Sequence, residues 1–212
     1  MTTSSAFSTH ASWGPAFRGG LVLLILCGGL YPLFTTLVVG GLFPHQATGS
    51  LIERDGRIVG SALVGQHFVS EGYFHGRPSA ADHDPFDVGG SNLAPSNPDL
   101  RERVESDAER ISALEGIARE QIPVDLLAAS GSGIDPHISP AAAAIQVDRV
   151  ARARGWDTAT VSDLVARYTD PPVLGIFGQP RVNILLLNLA LDGLAAQGHP
   201  RGHEPALIPT VE

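Results

Sequence analysis

The sequence predicts a single N-terminal transmembrane helix followed by a mixed α/β (α+β) domain, and three observations carry that prediction. Residues 19–43 contain no charged side chain, and within them 21–26 and 33–39 are almost wholly apolar. Soon afterwards two apolar runs flank the pair Asp55-Gly56. Further on, segments with helix-capping residues alternate with a long stretch rich in Gly and Pro. A length of 212 residues leaves room for one anchor and one domain of ordinary size.

The apolar run comes first. At about 1.5 Å per residue, roughly 25 residues reach about 37 Å, enough to cross the hydrocarbon of a bilayer with some tilt. Backbone in lipid must satisfy its own hydrogen bonds, so a lone run of this kind is a helix. Gly28, Gly29, Gly40, Gly41 and Pro32 would be costly in a soluble helix. In a membrane they are better tolerated, and small residues let a neighbouring helix approach. Trp13 and Phe43 are placed to lie near the two interfaces. A cleaved signal peptide is the competing reading. Its apolar core would be about 7–15 residues, followed by a small-residue cleavage pattern, and neither fits.

Charge is distributed unevenly. Arg18 is the only charged side chain before the run, and every Asp and Glu lies beyond it, within a net charge of -8. An acidic domain argues against nucleic acid as a partner and for solubility. All basic residues are Arg; there is no Lys. Arg18 precedes the span while Arg54 and Arg57 follow it closely, so the positive-inside rule favours neither orientation. Cys27 is the sole cysteine and lies in the span, so the chain forms no internal disulfide.

Beyond the span the elements follow in order. Asp55-Gly56 marks a β-hairpin, because a type I′ turn needs positive φ at both central residues. Residues 66–98 are too rich in Gly and Pro for long elements, and an ordered loop of that length is a packed wrap or a functional one. Asn97 caps and Pro98 opens a charged helix over 99–120, with a thin apolar stripe at Ile111, Leu114 and Ala118. Residues 123–129 form a short helix. Ser139 caps and Pro140 opens a helix with an apolar stripe at Ala143, Ala144, Val147, Val150 and Ala151, an Asp148–Arg152 pair, and Gly155 as its stop. Thr160 and Asp163 read as a capping box for a helix to Tyr168, broken by Pro171-Pro172. Residues 183–196 form a last helix, interrupted by Asn188 and Asp192 and too short to span a membrane. The domains divide as an N-terminal tail (1–18), the span (19–43), the α/β domain (44–197) and a flexible tail (198–212).

Three clusters invite chemistry. Ser130-Gly-Ser-Gly133 before a helix resembles a phosphate cradle, but without Lys no Walker pattern is possible, and a tight turn explains it more simply. Ser130 or Ser132 with Asp135 and His137 supplies the residue types of a hydrolytic triad. They crowd one loop, with no G-x-S-x-G elbow, where side chains rarely meet at one reaction centre. His67, His75, Asp82, His83 and Asp84 offer metal-ligand types without a metal-ligand spacing, and exposed loop histidines and capping aspartates account for them. Metal ligands are therefore not assigned.

Several stretches together resemble one family. They are Tyr73-Phe74 with Arg77-Pro-Ser-Ala80, Gly89-Gly-Ser-Asn-Leu-Ala-Pro-Ser-Asn-Pro98, and Ala129-Ser-Gly-Ser-Gly-Ile-Asp-Pro-His-Ile-Ser-Pro140. Gln146-Val-Asp-Arg-Val-Ala-Arg-Ala-Arg-Gly155 and Pro180-Arg-Val-Asn-Ile-Leu-Leu-Leu-Asn-Leu-Ala-Leu-Asp192 complete the set. In this order, behind a single span, they resemble the C subunit of the Kdp potassium-transporting P-type ATPase over residues 18–195. Gln179 departs from the pattern, standing where an acidic residue is usual. The resemblance implies a subunit of the cell membrane, single-pass, with a cytoplasmic N-terminus and its α/β domain extracytoplasmic. It implies three partners in a potassium uptake complex: a channel-like potassium-binding subunit, a P-type ATP-hydrolysing subunit and a small hydrophobic subunit. It implies a non-catalytic catalytic-chaperone role that raises the ATP affinity of the hydrolysing subunit. ATP then enters through the complex, and Gln146 is the residue matched to nucleotide binding. Residues of the turn, Ser130, Gly131, Ser132, Gly133, Asp135, His137 and Ser139, are structural on this view, with both glycines in conformations closed to other residues. The alternative is a membrane-anchored extracytoplasmic hydrolase or metal-binding protein.

Overall fold

The computed structural model describes residues 13–196 and divides between Ser50 and Leu51 into two compact units. Of the expected N-terminal tail (1–18), residues 1–12 lie outside the described residues and 13–18 are helical; the expected C-terminal tail (198–212) lies wholly outside them.

The first unit is dominated by a helix, α1, Trp13–Leu42, the one described helix long and apolar enough to cross a membrane. It begins six residues before the predicted start at Gly19. Its 30 residues reach about 45 Å. Two stretches of it, Leu26–Leu30 and Thr35–Val39, are π-helical. They bracket Pro32, which has no N–H to give to the helical ladder, and π turns are one way a helix absorbs such a defect. The Thr35 hydroxyl donates back to the carbonyls of Tyr31 and Pro32 at 2.9 and 3.0 Å, the usual back-bond of a helical Thr. None of its side chains is buried in the chain, so the apolar surface is left for lipid or for other helices. One further turn, α2, Pro44–Ala47, follows a break at Phe43.

The second unit opens with the predicted hairpin, β1, Leu51–Arg54, against β2, Arg57–Ser61. Asp55 and Gly56 both take positive φ (53° and 76°), as the type I′ turn requires. A bulge between Ile52 and Glu53 bends the first strand. The chain then wraps through 62–97 without a regular strand or helix and enters α3, Pro98–Glu115, where the Asn97 side chain accepts from the Asp99 N–H. Two 3-10 turns lead to β3, His137–Ile138, α4, Pro140–Ala144, α5, Val147–Arg154, and α6, Thr158–Arg167. Strands β4, Thr169–Asp170, and β5, Arg181–Asn183, precede α7, Ile184–Ala196. A small antiparallel sheet has the order β3-β5-β4. Its middle strand runs straight into α7, and Leu187 and Leu191 pack there with Val150, Val161 and Val182 in the core. Phe74, from the irregular wrap, is as deeply buried as any of them. The wrap is part of the core.

Four local expectations change. Helix α3 stops at Glu115, where Gly116 takes the left-handed conformation, so Ala118 is exposed and Ala108 joins Ile111 in the buried stripe. The predicted continuous helix after Ser139 is broken at Ile145-Gln146 into α4 and α5; Ala144 is exposed and Ala142 buried instead. Asp148 and Arg152 form no ion pair among the described residues. Helix α6 begins at Thr158, ahead of the proposed Thr160 cap. Strands β3, β4 and β5 have no counterpart among the sequence expectations.

Candidate functional site

The turn over residues 130–139 uses its polar groups on itself and on the wrap. Ser130, buried, accepts through Oγ from the N–H groups of Ser132 and Gly133, and Ser132 Oγ accepts from Ile134. The two hydroxyls also bond each other at 3.1 Å. Backbone stitches tie the turn to the wrap: Ser130 N–H to Pro78 O, Gly89 N–H to Ser132 O, and Gly65 N–H to Ile134 O. Ser79 Oγ donates to Gly133 O at 2.6 Å. Gly133 sits at φ 74°, and a Cβ there would lie 2.6 Å from both Ala81 Cβ and Gly89 O. Gly131 has no such demand: its φ is not positive and a Cβ would meet open space. Only one of the two glycines is required by geometry.

Asp135 holds the end of the turn. Its Oδ1 accepts from the His137 N–H at 3.0 Å, and its Oδ2 pairs with Arg77 at 2.7 Å. Burial pushes this carboxyl up, but bonds from His137 and Arg77 outweigh it and hold it down, at about 2. The His137 ring lies 3.4 Å from Asp135. Among the described residues no hydrogen bond joins His137 to either serine. Ser139 caps α4 by accepting from the Ala142 N–H, and is itself gripped by Asp125, which takes both its N–H and its hydroxyl. A cleft of about 370 Å³ opens beside Ser130, Ser132, Arg77 and Asp135.

Gln146 stands at the break between α4 and α5, 1% exposed. Its Oε1 accepts from the His75 N–H and from Arg149, both at 2.8 Å. Its Nε2 donates to the carbonyls of His75 and Ala142, both at 3.1 Å. All four hydrogen-bonding positions of this amide are taken. Asn188 of α7 does the same for the preceding residue, accepting from Phe74 N–H and donating to Phe74 O. Two side-chain amides thus stand in for a β-ladder along Phe74-His75. Arg149 adds bonds to the carbonyls of Glu71 and Tyr73 and a buried pair with Glu115 at 2.9 Å. Burial raises the Glu115 carboxyl, with Arg149 pulling against it. Arg154 bonds Gly72 O and Asp192 and lies over the Tyr73 ring at 4.8 Å. The Tyr73 hydroxyl donates to Asp192. His75, squeezed by burial and by Arg149, is driven down to about 4.

These clamps were the part least visible in sequence. In sequence Asn188 and Asp192 read as interruptions of an apolar helix, and Arg149 carries no signal beyond its place in one of the family motifs. The usable signal was polar residues recurring on the buried face of otherwise apolar helices. In this conformation Gln146 presents no free donor or acceptor to a nucleotide.

The candidate metal-type residues separate into two sets. His67, Asp82 and His83 come together, each with a ligand-type atom within 4.8 Å of the others. His75 bonds Ser70 O elsewhere, and Asp84 caps its own turn through the Phe86 N–H.

Comparison with known proteins agrees with the order of motifs. The family described as KdpC, K+-transporting ATPase, c chain, matches residues 13–193. A Potassium-transporting ATPase KdpC subunit of Shewanella putrefaciens is 55% identical over 186 residues, spanning 88% of this chain and 92% of the relative. The protein of the same description from Gemmatimonas aurantiaca is 54% identical, over 86% of this chain and 92% of its own. That of Sorangium cellulosum is 52% identical, over 83% and 96%. With a match from the start of α1 almost to the end of α7, the chain belongs to the KdpC family and is a membrane subunit of a K+-transporting P-type ATPase.

Proposed function

We propose that the chain is a non-catalytic accessory subunit of a high-affinity, ATP-driven potassium uptake complex, anchored by one span with its α/β domain extracytoplasmic. It assembles with a channel-like potassium-binding subunit, a P-type ATP-hydrolysing subunit and a small hydrophobic subunit. As a catalytic chaperone it raises the ATP affinity of the hydrolysing subunit. ATP is held by that subunit and none is bound tightly here.

The observation that carries this reading is how the 130–139 turn employs its nucleophile-type residues. A serine nucleophile needs a base within hydrogen-bond reach and a third group to orient that base. Ser130 and Ser132 instead accept from backbone N–H groups, and the Asp135 carboxylate is engaged by Arg77 and the His137 backbone. These are the contacts of a structural turn, and they support the accessory reading over the membrane-anchored hydrolase. Gln146 fits the same view: any effect it has on ATP affinity passes through the clamp it forms on His75.

The experiment is co-expression of the other complex subunits with and without this chain, followed by ATP-dependence of potassium-stimulated hydrolysis. With the chain present, KM for ATP is expected to fall, and the purified chain alone is expected to show no turnover. Hydrolysis by the isolated chain, lost in Ser132→Ala, would reverse the assignment in favour of the hydrolase.

A further inference from the structure

At one edge of the wrap, apart from the clamps, a small constellation is left over. The His67 Nδ1 lies 3.6 Å from the Asp82 carboxylate, and the rings of His67 and His83 meet edge to face at 6.2 Å. One ligand-type atom from each of the three residues falls within 4.8 Å of the other two. His83 Nδ1 is shut off from water with no hydrogen-bond partner. A buried polar atom in that condition calls for a missing water or ion.

The backbone holds two of the three residues rigidly. Asp82 and His83 both lie in the left-handed region, at φ 49° and 60°, which side chains other than glycine seldom adopt. Strained residues of this kind cluster at ligand sites. Ser79 Oγ fixes the pair by accepting from the N–H groups of Ala81 and His83 at 3.1 and 3.0 Å. The His83 ring is seated against the Gly65 backbone, where a Cβ would come within 2.8 Å of its Cδ2. His67 is the free arm, its side chain 62% exposed.

We propose that His67, Asp82 and His83 form a binding site for a divalent transition-metal cation of the zinc class, with water completing the coordination. Two imidazoles and one carboxylate suit zinc and its neighbours and do not suit Mg²⁺ or Ca²⁺, which take oxygen ligands. The donor set also separates this site from the transported potassium ion, a cation that protein oxygens coordinate. Ligands of a tetrahedral zinc stand roughly 3.4 Å apart, given metal–ligand bonds of about 2.0–2.2 Å. His67 and Asp82 already stand near that spacing at 3.6 Å, and the remaining separations, within 4.8 Å, close by rotation of the exposed Asp82 and His67 side chains toward His83.

The test is titration of Zn²⁺ into the full chain in detergent, competed against a chromophoric chelator, with thermal unfolding measured alongside. The wild-type chain is expected to take up one equivalent at micromolar or lower Zn²⁺ and to gain in unfolding temperature as it does. His67→Ala and Asp82→Asn alter exposed side chains and leave the core intact. Each is expected to weaken binding by roughly tenfold or more, since even residues that only support a metal ligand cost about 10–100-fold, and to abolish the thermal gain. His45→Ala, remote in sequence and exposed, is the control and should bind as wild type. Absence of saturable binding below millimolar Zn²⁺ would overturn the proposal. So would undiminished affinity in His67→Ala and Asp82→Asn, which would place the ion elsewhere on the chain.

Discussion

Gln146 and Asn188 each take both backbone groups of one residue of an otherwise irregular segment, His75 and Phe74. Removing either amide leaves a buried N–H and C=O without partners, at about 1–3 kcal/mol for each group. Gln146→Ala and Asn188→Ala are therefore expected to destabilise the domain by similar amounts, about 2–5 kcal/mol, read from denaturant midpoints. The pair also separates fold from nucleotide. If Gln146 acts through the clamp, the two substitutions raise the KM for ATP of the assembled complex alike. A rise with Gln146→Ala alone, at matched stability, would mean that Gln146 meets the nucleotide. His75, between them, makes the same segment sensitive to acid. Its imidazole is held neutral down to about 4, against an ordinary 6.5, by burial and by Arg149. Below 6.5 the unfolded chain takes up a proton that the folded chain refuses. Stability is full above 6.5 and falls by up to about 3 kcal/mol as pH drops towards 4. Asp135 adds its own loss only below 3.8, its ordinary value. In His75→Gln the fall in unfolding temperature between pH 6.5 and 4 should shrink markedly, leaving the smaller contribution of His83, which burial also holds below its ordinary value; an unchanged slope would assign the acid sensitivity to other groups. Little of this is legible in the sequence. Gln146 stands out there only through a family resemblance that matches it to nucleotide, and Asn188 as a flaw in an apolar helix, because their partners lie 71 and 114 residues away.

At the scale of elements, what is written locally was readable. Asn97-Pro98 and Ser139-Pro140 start helices in the structure as their chemistry dictates, and Asp55-Gly56 turns the hairpin. The ends and breaks were not, because tertiary contacts set them: α4 stops where Gln146 turns inward to reach His75. Strands of two or three residues carry too little pattern to be seen at all. Two predictions belong here. Ser139→Ala should cost about 0.5–2 kcal/mol by loss of the cap, and Asp125→Ala should remove part of the same energy, so that the double variant is less than additive. Gly133→Ala should cost about 2–4 kcal/mol, since the new methyl meets Ala81 and Gly89 at a positive φ. Gly131→Ala should be nearly neutral. Equal losses at both glycines in thermal unfolding would mean that the turn is strained differently from its backbone angles.

For the whole molecule the proposed topology puts the second unit outside the cytoplasm. A reporter active only outside the cytoplasm, fused after Glu212, is expected to work; activity restricted to a cytoplasmic reporter would invert the topology and bring Gln146 to the side of ATP. The family and the span were legible at this scale because a charge-free run and ordered motifs survive without any knowledge of contacts. What no composition could show is the internal winding of that span.

The π turn at Thr35–Val39 changes which residues of α1 share a side. Gly28 and Gly40 are twelve positions apart, and in an unbroken α-helix they would face directions about 120° apart. A π turn absorbs about one extra residue, which leaves roughly eleven α-like steps, close to three whole turns. The Gly28-Gly29 and Gly40-Gly41 pairs are thereby rotated onto nearly one meridian of the cylinder, a smooth keel on which another helix can lie along the bilayer's depth. Leucines in place of either pair should then loosen the complex in detergent to a similar degree, and Leu at both should be little worse than at one, since a single ridge already lifts the neighbour off the whole track.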